Sequence, residues 1–348
     1  MTPKERFIHA ALNQEVDRPP VWLMRQAGRY LPEYRTIKAR HNTKEMMQTP
    51  EIACEITLQP VDILGVDAAI LYSDILMIPD AMGQGLNFAQ GEGPVFDFSI
   101  RDEATLNRLN INSVTERLSY VFETVKLCVK KLPADYPLLG FAGAPFTVAC
   151  YMIAGRGSKN FAEAKVLAWE NPKVFHALLS TLTDTTIDYL TKQADAGVAA
   201  VQLFDTWAGL LAPEDYRAFA KPYAERVFSA LKNLGLPTIY YLKGGHYLLQ
   251  EMATLSNNVI GVDWRVDLKS ASNIARGRYA IQGNFDPDLL MTTPPRIEER
   301  LTKMLSEIPN PKKGYIMNLG HGVEQNTPVE NVKFFVKKAQ ELGKSMSS

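Results

Sequence analysis

Two arginines four residues apart, Arg25 and Arg29, close an apolar run at 21–24 in the stretch Arg-Pro-Pro-Val-Trp-Leu-Met-Arg-Gln-Ala-Gly-Arg-Tyr-Leu-Pro-Glu-Tyr-Arg, residues 18–35. Planar guanidiniums suit bidentate recognition of carboxylate or phosphate. Gly28 lets the chain bend there or approach a ligand closely. Arginine serves as often as a solvated charge or an internal ion-pair partner, so the pair takes its meaning from its surroundings. Asp74 ends a second apolar run, Ala-Ala-Ile-Leu-Tyr-Ser-Asp. Its carboxylate could accept N–H donors, stabilise a cation, or cap the helix that follows. Gly-Phe-Ala-Gly-Ala-Pro-Phe-Thr, residues 140–147, lacks the spacing of either phosphate-binding glycine loop. It reads as a tight strand-to-helix turn, with close backbone approach to a ligand as its functional version. Tyr151, a turn and a half beyond Pro145, is either a core aromatic or a hydroxyl aimed into a cleft.

Eight short apolar runs must position these groups, at 20–24, 68–72, 138–142, 199–204, 238–242, 259–262, 279–282 and 315–319. Stretches with helical spacing separate them; 172–196 and 213–234 both open on proline, which a first helical turn tolerates. Continuous apolar strands alternating with helices imply a parallel sheet covered on both faces. Eight of them predict a single α/β domain over residues 1–348, a (β/α)8 TIM-type barrel with extra helices and a lid-like insertion within 78–102. A doubly wound sheet shares the alternation. The barrel is preferred because barrel sites lie at the carboxyl ends of the strands, and those ends carry Arg25, Asp74, Thr206, 243–246, 263–265 and His321.

Composition removes other classes. Lys plus Arg equals Asp plus Glu at 38 each, so no global field draws nucleic acid or an anionic membrane, and anion binding must be local. Cys54, Cys128 and Cys150 are too few and scattered for a disulfide framework, which fits a reducing cytoplasm. Residues 1–12 read as an amphipathic helix rather than a signal peptide, no window suits a membrane span, and 344–348 read as a frayed tail. His9, His41, His176, His246 and His321 show no metal-ligand spacing, so no metal is expected. Dinucleotide and nucleophile-elbow motifs are missing too, and Lys243 is the one lysine in a Schiff-base context. An enzyme built this way is expected to work without a cofactor.

The 21–35 segment and Gly-Phe-Ala-Gly-Ala-Pro-Phe-Thr closely resemble the two signature segments of the uroporphyrinogen decarboxylase family. Ala-Ala-Ile-Leu-Tyr-Ser-Asp-Ile-Leu, Pro-Asp-Ala-Met-Gly, Gln-Leu-Phe-Asp-Thr-Trp-Ala-Gly, Gln-Gly-Asn-Phe-Asp-Pro and Asn-Leu-Gly-His-Gly agree, and the resemblance runs from about residue 3 to 340. It implies a cofactor-free (β/α)8 barrel, usually a homodimer with facing clefts. Its reaction converts the four acetates of the tetrapyrrole uroporphyrinogen III to methyl groups, releasing four CO2 and giving coproporphyrinogen III on the route to haem and chlorophyll. By resemblance, Arg25 and Arg29 bind substrate carboxylates, one of them also holding or relaying a proton, and Asp74 accepts the pyrrole N–H groups and stabilises the developing cation. Tyr151, Thr206 and His321 fall on hydrogen-bonding positions of the cleft and Phe204 on its apolar wall. Gln26, Ala27 and Gly28 form a turn presenting backbone N–H groups. Thr206 replaces a serine and Trp207 a histidine of some members, and Lys38 replaces an arginine. Two rivals are a zinc-dependent corrinoid or coenzyme M methyltransferase of the same superfamily and a non-catalytic tetrapyrrole carrier. The first lacks its His-x-Cys site here, and the second has little reason to keep Asp74 with both arginines.

Overall fold

The computed structural model describes residues 1–89 and 93–346, and its centre is a curled parallel sheet of seven strands. In chain order the strands of the molecule are β1 (Ala69–Ile70), an antiparallel hairpin of β2 (Leu86–Ala89) and β3 (Gly93–Phe96), then β4 (Leu138–Gly143), β5 (Ala200–Phe204), β6 (Thr238–Tyr241), β7 (Val259–Gly261), β8 (Ala280–Phe285) and β9 (Tyr315–Leu319). The sheet order β1-β4-β5-β6-β7-β8-β9 puts sequential strands side by side, as in an α/β TIM-type barrel. Each strand is largely apolar on both faces because helices cover its outside.

The eighth stave is the 20–24 segment, and here the structure corrects the expected strand. Val21 makes one parallel bridge to Met317, the Met317 N–H donates to the Pro20 carbonyl at 2.9 Å, and the Asp67 N–H donates to the Val21 carbonyl at 2.7 Å. The segment therefore bonds to both barrel edges without becoming a regular strand. Pro20 has no N–H to give, and the Val21 N–H goes to Asp67 Oδ2 at 2.8 Å instead of to a neighbouring carbonyl.

Asp67 is fully engaged at this junction. Its carboxylate accepts Arg18 through two bonds of 2.7 and 2.6 Å and Arg6 Nη1 at 3.0 Å, with all three residues buried. Helix Pro3–Ala11, opened by a Thr2–Glu5 capping box, brings Arg6 there and presses Phe7, Ala10 and Ala11 against the barrel interior beside Trp22, Leu139 and Ile239. Trp22 Nε1 donates to Gln282 at 3.1 Å, and Gln282 donates to Gln202 at 2.9 Å, so the interior polar groups form a chain.

Helix Pro172–Ala196 runs as its spacing predicts, but 213–234 does not form one helix. A π turn, Tyr216–Ala220, interrupts it just before helix Lys221–Leu231, where Pro222 lacks the N–H that an unbroken α ladder needs. Within 78–102 lies the β2–β3 hairpin; residues 90–92 of the expected lid-like stretch lie outside the described residues. The expected frayed tail is corrected, since helix Val329–Ser345 includes Lys344 and Ser345 and packs Gly343 against Pro19; residues 347–348 lie outside the described residues. The three cysteines are free and buried, and no helix of the described residues is long and apolar enough to cross a membrane.

Asp67→Asn would leave two buried guanidiniums facing a neutral group. A loss of about 3–5 kcal/mol in unfolding free energy is expected from a broken buried pair, read from the urea midpoint at unchanged slope.

Candidate active site

The carboxyl ends of the strands open into a cavity of about 350 Å³. Arg25, Gln26, Ala27 and Asp74 line it from the β1 side, and Tyr151, Phe204, Thr206 and His321 complete the wall. Gly28 and Arg29 do not line it. Phe88 and Pro94 of the hairpin, within the 78–102 stretch expected to hold a lid-like insertion, also line it.

Arg25, not Gly28, takes the left-handed conformation, with φ +58°. Gly28 keeps an ordinary φ, so the expectation that it supplies the bend is corrected. A left-handed non-glycine residue costs about 1–2 kcal/mol, and the neighbours hold it there. The Gln26 N–H donates to the Leu23 carbonyl at 3.0 Å. Its side chain accepts the Leu23 N–H at 3.1 Å and donates to the Ala68 carbonyl at 3.0 Å. Tyr30 donates to the Gln26 carbonyl at 2.6 Å. Gln26 is thus a buried staple whose own N–H is spent, while the N–H groups of Ala27 and Gly28 find no acceptor among the described residues. The Arg25 stem lies on Gly322, where any Cβ would overlap it.

Asp74 accepts a main-chain N–H just before the next helix without serving as its cap, which is Leu76. Oδ1 accepts the Leu76 N–H at 2.8 Å at the start of helix Met77–Ala81, and the group lines the cavity. It is half-buried, with its open side on the cavity. Burial raises its pKa above the ordinary aspartate value, and the Leu76 N–H and Arg25 only partly offset this.

His321 sits opposite, stacked on Tyr241 with ring centroids 6.3 Å apart. Tyr241 has one hydroxyl hydrogen and gives it to the Gly320 carbonyl at 2.8 Å. In the 3.2 Å contact with His321 Nδ1 the imidazole is therefore the donor, which leaves Nε2 as an acceptor. Burial, then Arg25, Lys243 and Arg265, push its pKa down to about 3. Phe204 packs edge-on against Phe141 at 5.6 Å, and burial pushes the Tyr151 phenol up to about 12, so it remains a hydroxyl donor.

Behind Thr206 lies Asp205, a strand-end residue to which the sequence reading assigned no role of its own. Asp205 is fully buried and accepts Thr147 and Tyr240 hydroxyls, each at 2.7 Å. Burial raises its pKa to about 6. An aspartate before Thr206 at a strand end was the available signal. Arg29 is exposed at the outer rim and donates to Gln325 at 3.1 Å, and Lys38 bonds Thr43 instead of reaching the cavity. Among the described residues, no three His, Cys, Asp or Glu side chains are grouped to hold a metal ion.

The uroporphyrinogen decarboxylase family model matches residues 2–342. Curated proteins named uroporphyrinogen decarboxylase from Pelobacter propionicus and Coxiella burnetii are each 44% identical, over 98% and 97% of this chain and 99% and 94% of theirs. One from Xanthomonas campestris is 43% identical, over 99% of this chain and all of its own. Among solved structures, a methyltransferase from Methanosarcina mazei superposes with TM-score 0.84 over 98% of this chain and 99% of its own; at 20% identity it shares the fold.

His321 is expected to stay neutral with Nδ1 protonated from pH 8 to below pH 5, read by imidazole ¹⁵N chemical shifts. An unfolded histidine protonates near pH 6.5, so His321 withdraws stability as pH falls from there towards about 3.

Proposed function

The chain belongs to the uroporphyrinogen decarboxylase family, and from that premise we propose that its cavity converts the four acetate side chains of uroporphyrinogen III to methyl groups, giving coproporphyrinogen III and four CO2. The observation that carries this reading is Asp74, a walled-in carboxylate with one side open to a cavity that Arg25 shares.

Loss of CO2 from a pyrrole acetate leaves an electron pair that needs a sink. Protonation of the pyrrole carbon beside the acetate-bearing one makes the ring an iminium-like cation. When the carbon–carboxylate bond breaks, its electrons neutralise that cation and leave an exocyclic methylene. A proton added to the methylene makes the methyl group, and loss of the ring proton restores the pyrrole. Asp74 serves this cycle by charge. Burial makes its carboxylate costly in the empty cavity, and a cation forming next to it removes that cost, so the cationic state gains more than the neutral substrate does. Arg25 holds the reacting side of the tetrapyrrole through a carboxylate. The free N–H of Ala27 in the cavity wall and, outside it, the rim guanidinium of Arg29 take others. Tyr151, Thr206 and the His321 acceptor orient the macrocycle, and Phe204 lies along its apolar face.

The whole chain acts as one barrel domain, in the cytoplasm, as a homodimer. A family match spanning residues 2–342 and relatives that align end to end support the single domain, while the compartment rests on the few, scattered cysteines and the dimer on the family resemblance alone. A zinc-dependent methyltransferase is not favoured, because the 43–44% identical relatives carry the decarboxylase name and the methyltransferase likeness is one of fold. A non-catalytic carrier would have no use for the unneutralised Asp74.

Asp74→Asn, nearly isosteric, should lower kcat for uroporphyrinogen III by about 10²–10³, the size of a lost electrostatic stabiliser, with KM within a few-fold. An unchanged kcat would contradict the role. Because the carboxylate must be ionised and its pKa is raised, activity in the intact protein should fall on the acid side at a pH above that of an ordinary aspartate, and the Asn variant should lack that limb. Arg29→Lys should raise KM about tenfold, since a point charge replaces the fork.

A further inference from the structure

Three loops meet at His321. A Cβ on Gly320 would collide with the backbone of Trp264, and one on Gly322 with Arg25, so the 320–322 turn is wedged between the 263–265 loop and Arg25. Tyr241, stacked under His321, leads two residues on to Lys243. Lys243 and Arg265 share the Trp264 ring: Nζ of the first lies 5.8 Å from its centroid and the guanidinium carbon of the second 4.9 Å. Arg265 also passes over Gly244, where a Cβ would approach Nη1 to 3.0 Å.

Two cations on one indole repel each other, and the nearby acid does not neutralise both. Asp263 is completely buried and spends its oxygens on the Gly244 N–H at 2.7 Å and the Arg265 N–H at 3.1 Å, with the Arg265 side chain at 3.8 Å. Among the described residues Lys243 has no carboxylate at ion-pair distance. Burial, with Arg265 beside it, weakens its hold on its proton. Neither side chain lines the 350 Å³ cavity itself, and Arg265 lines a separate cavity with Asp267 and Lys303; both lie beyond the His321 wall, near enough to lower the His321 pKa, and like charges gathered there are relieved by an anion held between them.

We propose that Lys243 and Arg265 form a second carboxylate clamp, on the His321 side of the cleft and apart from Asp74, that grips one peripheral carboxylate of the bound substrate. The proposal rests on the tetrapyrrole reading above. Arg25 and this clamp then hold the macrocycle from two sides of the His321 turn.

Steady-state kinetics of Arg265→Gln, Lys243→Gln and the double variant test it. Each single variant should raise KM for uroporphyrinogen III about tenfold and the double variant further, with kcat changed less than KM. A rise shared by the pentacarboxylate intermediate assigns a propionate to the clamp, and a rise confined to the octacarboxylate assigns an acetate. An unchanged KM in the double variant, with the intact protein active, overturns the clamp alone. No turnover by the intact protein overturns the decarboxylase reading instead. Binding of the octacarboxylate uroporphyrin III, followed by quenching of protein fluorescence, then still reads the clamp: affinity equal in intact protein and double variant would overturn it. Thermal melting of the variants at the temperature of the intact protein separates lost binding from lost fold.

Discussion

Closure of the barrel rests on Asp67, whose carboxylate takes Arg6, Arg18 and the Val21 N–H while its own N–H reaches the Val21 carbonyl. These bonds replace the ladder that a regular eighth strand would make. They also fix where the chain emerges at Arg25. A guanidinium must be aimed to within a few tenths of an ångström to matter to a reaction, and the aim here is set at the opposite end of the segment, by a buried ion cluster. Gln26 and Tyr30 then lock the strained turn, and Gly322 leaves space for the Arg25 stem.

The electrostatics of the cleft follow from that scaffold. Two aspartates lie within one turn of strand ends and have raised pKa values for the same reason, burial, but they differ in what satisfies them. Asp205 is bonded by Thr147 and Tyr240 and stiffens the loop that bears Thr206 and Trp207, whose N–H donates to Thr147 at 3.0 Å. Asp74 has one main-chain donor on Oδ1 and an open side on the cavity. Only the second can respond to a charge formed in a ligand. His321, kept neutral by burial and by three nearby cations, can accept a hydrogen bond without adding positive charge next to the developing cation.

Much of this was legible in the sequence where one residue or one run decides the matter. Alternating apolar runs and helices revealed the barrel, and strand-end polar residues revealed which end of it holds the cavity, because both depend on local pattern. The run 20–24 showed that its residues are buried but could not show that Asp67 takes the Val21 N–H. Gly28 advertised freedom that the fold uses at Arg25 instead, for a reason located at Gly322. In 140–147, the Gly143 position is crowded by Ile75 and Val148, so that glycine answers packing and not a ligand. Arg29 shares a turn with Arg25 but points to the rim, since spacing in irregular chain does not fix direction. The His321–Tyr241 pair joins distant segments that only the closed barrel brings together.

The most direct test of the account is an anaerobic incubation of purified, chelator-treated protein with uroporphyrinogen III, followed by oxidation and separation of the porphyrins by carboxylate number. Hepta-, hexa- and pentacarboxylate porphyrins are expected in succession, then the tetracarboxylate, with one CO2 per step. Recovery of the octacarboxylate unchanged, with turnover only after zinc and a methyl donor are added, would contradict the account.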